Sequence, residues 1–170
     1  MGDVGLGINP QLKAYIKSSD LLLCIGARLG ENTTGGYSLL KVPNTENPLV
    51  HVHPDPNELG RVYSPEISLA CNSSDFLEEA LSGAEKKRSD LTKLRNDYCS
   101  WREPYETPGT VKMEQIILQL NDVLAEEAIV TNGAGNYAAW LHRYFQYKSF
   151  KTQLAPTSGS MGYGIPAAIS

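Results

Sequence analysis

The sequence predicts an α/β protein with two doubly wound parallel-sheet domains. Short apolar runs typical of buried strands alternate with stretches that carry apolar residues at helical spacing. The alternation begins again after a proline-containing break at residues 103–109. At 170 residues, the chain is long enough to bury two small cores.

The first predicted unit contains three strands and two helices. Residues 20–26 form a continuous apolar run, which predicts a strand buried on both faces. Residues 49–53 and 67–71 predict the next two strands. Helices are predicted at residues 9–18 and from residue 73 onward. This order of strands and helices indicates a parallel sheet.

The second predicted unit begins with a helix at residues 111–124 and continues with a strand at residues 128–131. A tight turn at residues 132–136 then leads into another helix. The aromatic side chains of that helix are predicted to form a core face. They are Trp140, Tyr144 and Phe145.

The domain boundaries follow from composition. Residues 1–83 form the first domain, residues 84–109 an inter-domain helix and linker, and residues 110–170 an incomplete second domain. The one basic run, residues 86–88, lies in a stretch that also contains acidic residues and is interpreted as a solvated helix face.

Charge and cysteine content exclude several classes of protein. A net charge of -4 and a pI near 5.4 argue against nucleic acid as a partner. No apolar segment has the length of a membrane span, so we expect a cytoplasmic protein with no membrane partner. Cys24, Cys71 and Cys99 suggest neither disulfides nor zinc, and His51 with His53 makes a poor metal site. No metal ligands are predicted within the chain.

The most informative segment is the glycine-rich stretch near residue 160. Gly159, Gly162 and Gly164 remove side chains where the backbone approaches another group closely, and Met161 stands between the first two. Pro166 suits the first turn of a helix. The pattern is typical of a loop that holds a ligand.

This segment, Gly-Ser-Met-Gly-Tyr-Gly-Ile-Pro-Ala-Ala at residues 159–168, resembles the Gly-x-Met-Gly-aromatic-Gly-aliphatic-Pro-Ala-Ala segment of thiamine-diphosphate enzymes of the acetolactate synthase group. Residues 20–29, 51–55 and 58–63 resemble the later part of the central domain of those enzymes. The resemblance therefore implies a Rossmann-like central domain followed by the start of the domain that binds the cofactor's diphosphate.

The resemblance also implies the site residues. Met161 would bend the cofactor from beneath, and the Gly159 carbonyl with the Met161 N–H would bond its aminopyrimidine edge. The turn after the residue 128–131 strand would contact the diphosphate, with Asn136 and Tyr137 where the family has Gln and His. The implied cofactor-binding residues are Ala134, Gly135, Asn136, Tyr137, Gly159, Ser160 and Met161.

The implied activity is decarboxylation or carboligation of 2-oxo acids such as pyruvate, for which thiamine diphosphate supplies the electron sink. The resemblance places the Mg²⁺ ligands and the activating Glu outside these 170 residues. We therefore expect the chain to be a fragment of a homodimeric or homotetrameric enzyme and to be inactive alone. Gly26-Ala27-Arg28 matches the family's FAD segment, but Asn32 replaces its second Arg, which argues against FAD.

Two alternatives remain open from the sequence. In one, the first unit binds ADP, FAD or NAD and the second unit only supports it. In the other, the chain belongs to a non-catalytic member of the same fold. Tight flavin retention without dependence on thiamine diphosphate would favour the first.

Overall fold

The computed structural model describes residues 2–83 and 91–170. The chain divides into two compact units, Met1–Tyr98 and Cys99–Ser170. The division falls within residues 84–109, the segment predicted to connect two domains. The basic run at residues 86–88 lies outside the described residues, so its interpretation as a solvated helix face stays a prediction.

The first unit contains most of the predicted elements, with shorter strands than expected. Its strands end two residues or less before the predicted limits, where the backbone turns into loops. The elements are α1 (Pro10–Ser18), β1 (Leu22–Ile25), β2 (Leu49–Val52), β3 (Ile67–Leu69), α2 (Ser73–Gly83) and the helix that contains the division, α3 (Thr92–Trp101).

The three strands form a parallel sheet in the order β1-β2-β3. Leu22 pairs with Leu49, and Val50 pairs with Ile67. The predicted mixed α/β fold with parallel strands is therefore confirmed. Because the strands are parallel, their carboxyl ends lie at one edge of the sheet, where ligands of such folds bind.

Burial in this sheet differs from the prediction. Leu29, Leu49 and Tyr63 form a buried cluster on one face, against which Leu22 and Cys24 pack. On the other face Leu23 is 52% exposed. The prediction that β1 is buried on both faces is wrong for this chain, because apolarity along a strand does not decide which neighbours cover it.

The ends of α1 show why this helix begins and ends where it does. The Asn9 side-chain oxygen accepts a hydrogen bond from the Gln11 N–H at 3.0 Å, and Pro10 occupies the first turn. At the other end, the Asn47 side-chain amide donates to the carbonyls of Ile16 and Lys17, both at 3.3 Å. A loop residue therefore adds hydrogen bonds to carbonyls in the last turn of the helix.

The second unit contains a pair of parallel strands and three further helices. The elements are α4 (Met113–Val123), β4 (Val130–Thr131), α5 (Ala138–Tyr144), β5 (Gln153–Leu154) and α6 (Gly164–Ile169). The strand β5 was not predicted, and α6 begins two residues before Pro166, which lies in its first turn.

The core of this unit confirms the predicted aromatic face. Ile117, Leu141 and Tyr144 are buried together, and Trp140 and Phe145 pack against them. The aromatic side chains of α5 thus anchor it to α4 by packing.

A buried carboxylate fixes the start of α4. Glu114 is 2% exposed and accepts hydrogen bonds from the Thr107 N–H at 3.3 Å and the Thr107 hydroxyl at 2.8 Å. Lys112 Nζ donates to the Thr107 carbonyl. Residues 107–112 are therefore tied to the helix that follows them.

Across the two described ranges, no helix combines the length and the apolar character needed to cross a bilayer.

Candidate functional site

The turn that follows β4, residues 132–137, is called here the glycine turn. At its beginning the Asn132 N–H donates to the Leu154 carbonyl at 3.0 Å, and at its end the Ala138 N–H donates to the Gly135 carbonyl at 2.9 Å. Between these bonds, the backbone N–H groups of residues 134–137 donate to no acceptor in the described part of the chain. Successive unpaired N–H groups are suited to binding an anion.

The Tyr137 ring lies against both glycines of this turn. A Cβ on Gly133 would lie 2.5 Å from the Tyr137 hydroxyl oxygen, and one on Gly135 would lie 2.6 Å from ring atom Cδ1. Ordinary contacts between carbon atoms are about 3.5–4.0 Å. Neither glycine has a positive φ, so space rather than backbone conformation excludes a side chain at both positions.

In the second predicted segment, residues 159–168, two glycines are required by the backbone conformation. Gly159 and Gly162 have φ values of +74° and +76°, which disfavour any residue with a Cβ. A Cβ on either would meet no described residue within 4 Å. The interpretation that these two glycines allow a close approach therefore finds no approaching group among residues 2–83 and 91–170.

Gly164, by contrast, does allow a close approach. A Cβ there would lie 3.1 Å from both the Asn132 carbonyl carbon and the Gly133 backbone nitrogen. The approaching group is the chain's own backbone, because α6 begins directly against the glycine turn. Gly164 thus brings the second predicted segment onto the first.

Two hydrogen bonds reinforce this arrangement. The Thr131 hydroxyl donates to the Gly164 carbonyl at 2.8 Å, and the Gln153 side-chain amide donates to Asn132 Oδ1 at 3.4 Å. Sequence reasoning missed Thr131, Asn132 and Gln153. The signal in the sequence was the polar pair Thr131 and Asn132 at the end of the predicted 128–131 strand. Site residues of such folds commonly lie at the carboxyl ends of parallel strands.

The remaining predicted residues of the second segment are exposed. The Ser160 hydroxyl lies 3.0 Å from the Ser158 hydroxyl, and the Met161 side chain is 90% exposed. Ala134 and Asn136 are exposed in the glycine turn. Their roles toward a cofactor stay predictions.

The first unit presents charged groups after the carboxyl ends of its strands. Arg28 and Arg61 each contact Glu58 Oε1 at 2.8 Å. The hydrogen bond from Arg28 holds the pKa of the Glu58 carboxyl below its usual range. Nearby, His51 is buried, and its Nε2 lies 2.8 Å from the Ala27 carbonyl oxygen. His53 Nδ1 accepts from the Asp55 N–H at 3.0 Å.

No group of three or more His, Cys, Asp and Glu side chains converges on a point suited to a metal ion in residues 2–83 and 91–170. The described residues therefore supply backbone N–H groups and a polar edge, rather than a metal centre.

Comparisons with known proteins agree with this architecture. Residues 1–80 match the family model "Thiamine pyrophosphate enzyme, central domain". Probable acetolactate synthase 2, chloroplastic, of Oryza sativa subsp. japonica is 28% identical over 166 residues, covering 90% of this chain and 25% of the relative. Acetolactate synthase 2, chloroplastic, of Nicotiana tabacum is 29% identical over 167 residues, covering 91% of this chain and 24% of the relative.

The chain thus spans about a quarter of the length of the curated relatives it matches. Because the similarity covers about 90% of the chain, it extends beyond residue 80 into the second unit. Residues 1–80 therefore match the thiamine pyrophosphate enzyme central-domain family, and about 90% of the chain is similar to chloroplastic acetolactate synthases.

Proposed function

We propose that this chain is part of a thiamine-diphosphate- and Mg²⁺-dependent decarboxylase or carboligase that acts on 2-oxo acids such as pyruvate. The observation that carries the proposal is the contact between the two predicted cofactor segments. Gly164 lies against the backbone of Asn132 and Gly133, and the Thr131 hydroxyl bonds its carbonyl. The relatives named acetolactate synthase are similar to about 90% of the chain, which supports the proposal.

The residues present fit the two polar ends of thiamine diphosphate. The unpaired N–H groups of residues 134–137 suit the diphosphate. The backbone around Gly159 and Met161 is exposed and suits the edge of the aminopyrimidine. When bound, the cofactor supplies an electron sink for making or breaking a bond beside a carbonyl. The chain's own residues bind and orient it.

The donor set for Mg²⁺ is different. Mg²⁺ requires oxygen ligands in near-octahedral geometry, and the described residues bring together no such cluster. The proposal therefore assigns the Mg²⁺ ligands and the activating Glu to other parts of the enzyme. It also assigns the working state to a homodimer or homotetramer.

Substitution of Met161 tests the site without disturbing the fold. Met161 and Phe150 are each 90% exposed in the second unit, so Met161→Ala and Phe150→Ala form a matched pair with equal expected stability. We expect Met161→Ala to weaken thiamine diphosphate binding, measured by NMR titration, while Phe150→Ala binds as the wild type does. Equal binding by both variants contradicts the role of Met161.

A second candidate function is nucleotide binding by the first unit. Two guanidinium groups, Arg28 and Arg61, share the single carboxylate of Glu58. The Asp55 carboxylate also interacts with Arg28, so the cluster carries no net charge. Both guanidinium groups nevertheless lie near the carboxyl edge of a parallel sheet, where an anionic nucleotide group would bind and could pair with them. Titration with ADP and with FAD, followed by flavin fluorescence and by the NMR signals of residues 26–28, distinguishes this function from cofactor binding in the second unit.

A further inference from the structure

The Tyr137 ring occupies the space that the glycine turn leaves open. Glycine allows a group to approach the backbone on the side where other residues carry a Cβ. At Gly133 that space holds the Tyr137 hydroxyl, and at Gly135 it holds the edge of the ring. A phosphate that binds where these glycines lack a Cβ must enter the same space. The ring and the phosphate therefore exclude one another.

The ring is held in place by packing alone. The Tyr137 side chain is 51% exposed, and it makes no capping hydrogen bond at the start of α5. Within the described residues its hydroxyl has no hydrogen-bond partner among the protein groups. Rotation about χ1 breaks no polar contact, so the ring can leave the turn by a change of rotamer.

We propose that the Tyr137 ring is a lid on the glycine turn, which must swing outward before a diphosphate can enter the space beside Gly133 and Gly135. This inference rests on the proposed function. It makes Tyr137 a positioning residue that opposes binding, whereas the sequence resemblance gave residue 137 a direct contact with the diphosphate. The two roles predict opposite effects when the ring is removed.

Inorganic pyrophosphate is the probe, and amide NMR signals of residues 133–137 in the 170-residue chain report its binding. If the ring covers the turn in about nine molecules of ten, the apparent dissociation constant is about tenfold larger than that of the open turn. Tyr137→Ala is then expected to bind pyrophosphate about tenfold more tightly than the wild type. Tyr137→Phe keeps the ring and is expected to stay within about twofold of the wild type.

The ring's position has its own readout. An aromatic ring against Gly133 and Gly135 shifts the Hα signals of these glycines, and Tyr137→Ala is expected to remove that shift, whereas Tyr137→Phe retains it at Gly135. This measurement needs no ligand. Absence of the shift in the wild type overturns the lid, because the ring then does not lie on the turn.

The titration separates failure of the lid from failure of the proposed function. If the wild type and Tyr137→Ala both bind pyrophosphate at the turn, and Tyr137→Ala binds as tightly as the wild type or more weakly, the lid is wrong. The direct contact of residue 137 with the diphosphate is then supported. If pyrophosphate shifts no signal of residues 133–137 in either protein, the turn is not a diphosphate site. The lid then falls, whereas the proposed function, which places the Mg²⁺ ligands in other parts of the enzyme, is decided by the Met161→Ala titration.

Discussion

Substitution of Gly164 by Ala tests the contact that joins the two predicted cofactor segments. The added Cβ would lie 3.1 Å from the Asn132 carbonyl carbon and from the Gly133 nitrogen, and 3.3 Å from the Asn132 Cα. Ordinary contacts begin at 3.4 Å, so the backbones must separate by a few tenths of an ångström. Both partners are backbone, which cannot rotate away as a side chain can.

The expected cost follows from this geometry. Overpacking a well-fitted contact costs about 1–3 kcal/mol, and replacing Gly by Ala inside a helix returns about 0.5–1 kcal/mol. We therefore expect Gly164→Ala to lower the free energy of unfolding by about 1 kcal/mol in net. Urea denaturation followed by circular dichroism measures this change.

Gly30→Ala is the matched control. Gly30 has no positive φ, and a Cβ there would lie within 4 Å of none of the residues that the structure describes, so we expect no measurable change. A Gly164→Ala protein as stable as the Gly30→Ala protein would refute the close approach. Thr131→Val adds a further test, because its hydroxyl bonds the Gly164 carbonyl and the two substitutions should be non-additive.

Three further predictions concern titration and reactivity. Burial raises the pKa of Tyr147 to about 12 from 10.0, so folding stability should fall as the pH rises from 10 to about 12, and a Tyr147→Phe protein should lose this dependence in urea titrations. The Glu114 carboxyl accepts a hydrogen bond from the Glu114 backbone N–H and further ones from Thr107. These bonds lower the pKa of Glu114 from 4.5, although burial acts in the opposite direction. Stability should therefore fall as the pH drops below 4.5. A Glu114→Gln protein whose unfolding midpoint falls as steeply with pH as that of the wild type would contradict this. Burial raises the pKa of the Cys24 thiol, whereas Cys99 is exposed, so a thiol reagent should react first at Cys99, and Cys99→Ser should remove the fast phase.

The elements that could be predicted from the sequence are those with a strong local signal. The helix α4 was expected because apolar residues recur at helical spacing, and β2 because five consecutive residues have strand character. The two-residue strand β5 has no periodicity to detect, and only its pairing with β4 defines it. The exposure of Leu23 was missed for a related reason, since burial depends on distant neighbours.

The candidate site shows a similar limit. The resemblance identified residues 134–137 and 159–161, and the structure brings their two segments together through Gly164. It could not show that the Tyr137 ring lies on the glycine turn, because a rotamer depends on the three-dimensional surroundings. Nor could it show the hydrogen bond from Thr131, whose partner is 33 residues away in the chain.

The five glycines of the two segments show what a motif leaves unstated. Gly133 and Gly135 are required by the space that an aromatic ring occupies, Gly159 and Gly162 by a left-handed backbone, and Gly164 by the approach of another backbone segment. Asn tolerates the left-handed region, so it should be accepted better than Ala at residues 159 and 162. At residue 164 Asn should be as damaging as Ala, because both carry a Cβ. A glycine pattern that looks uniform in sequence therefore divides into three physical requirements, of which only the first concerns the space a diphosphate would enter.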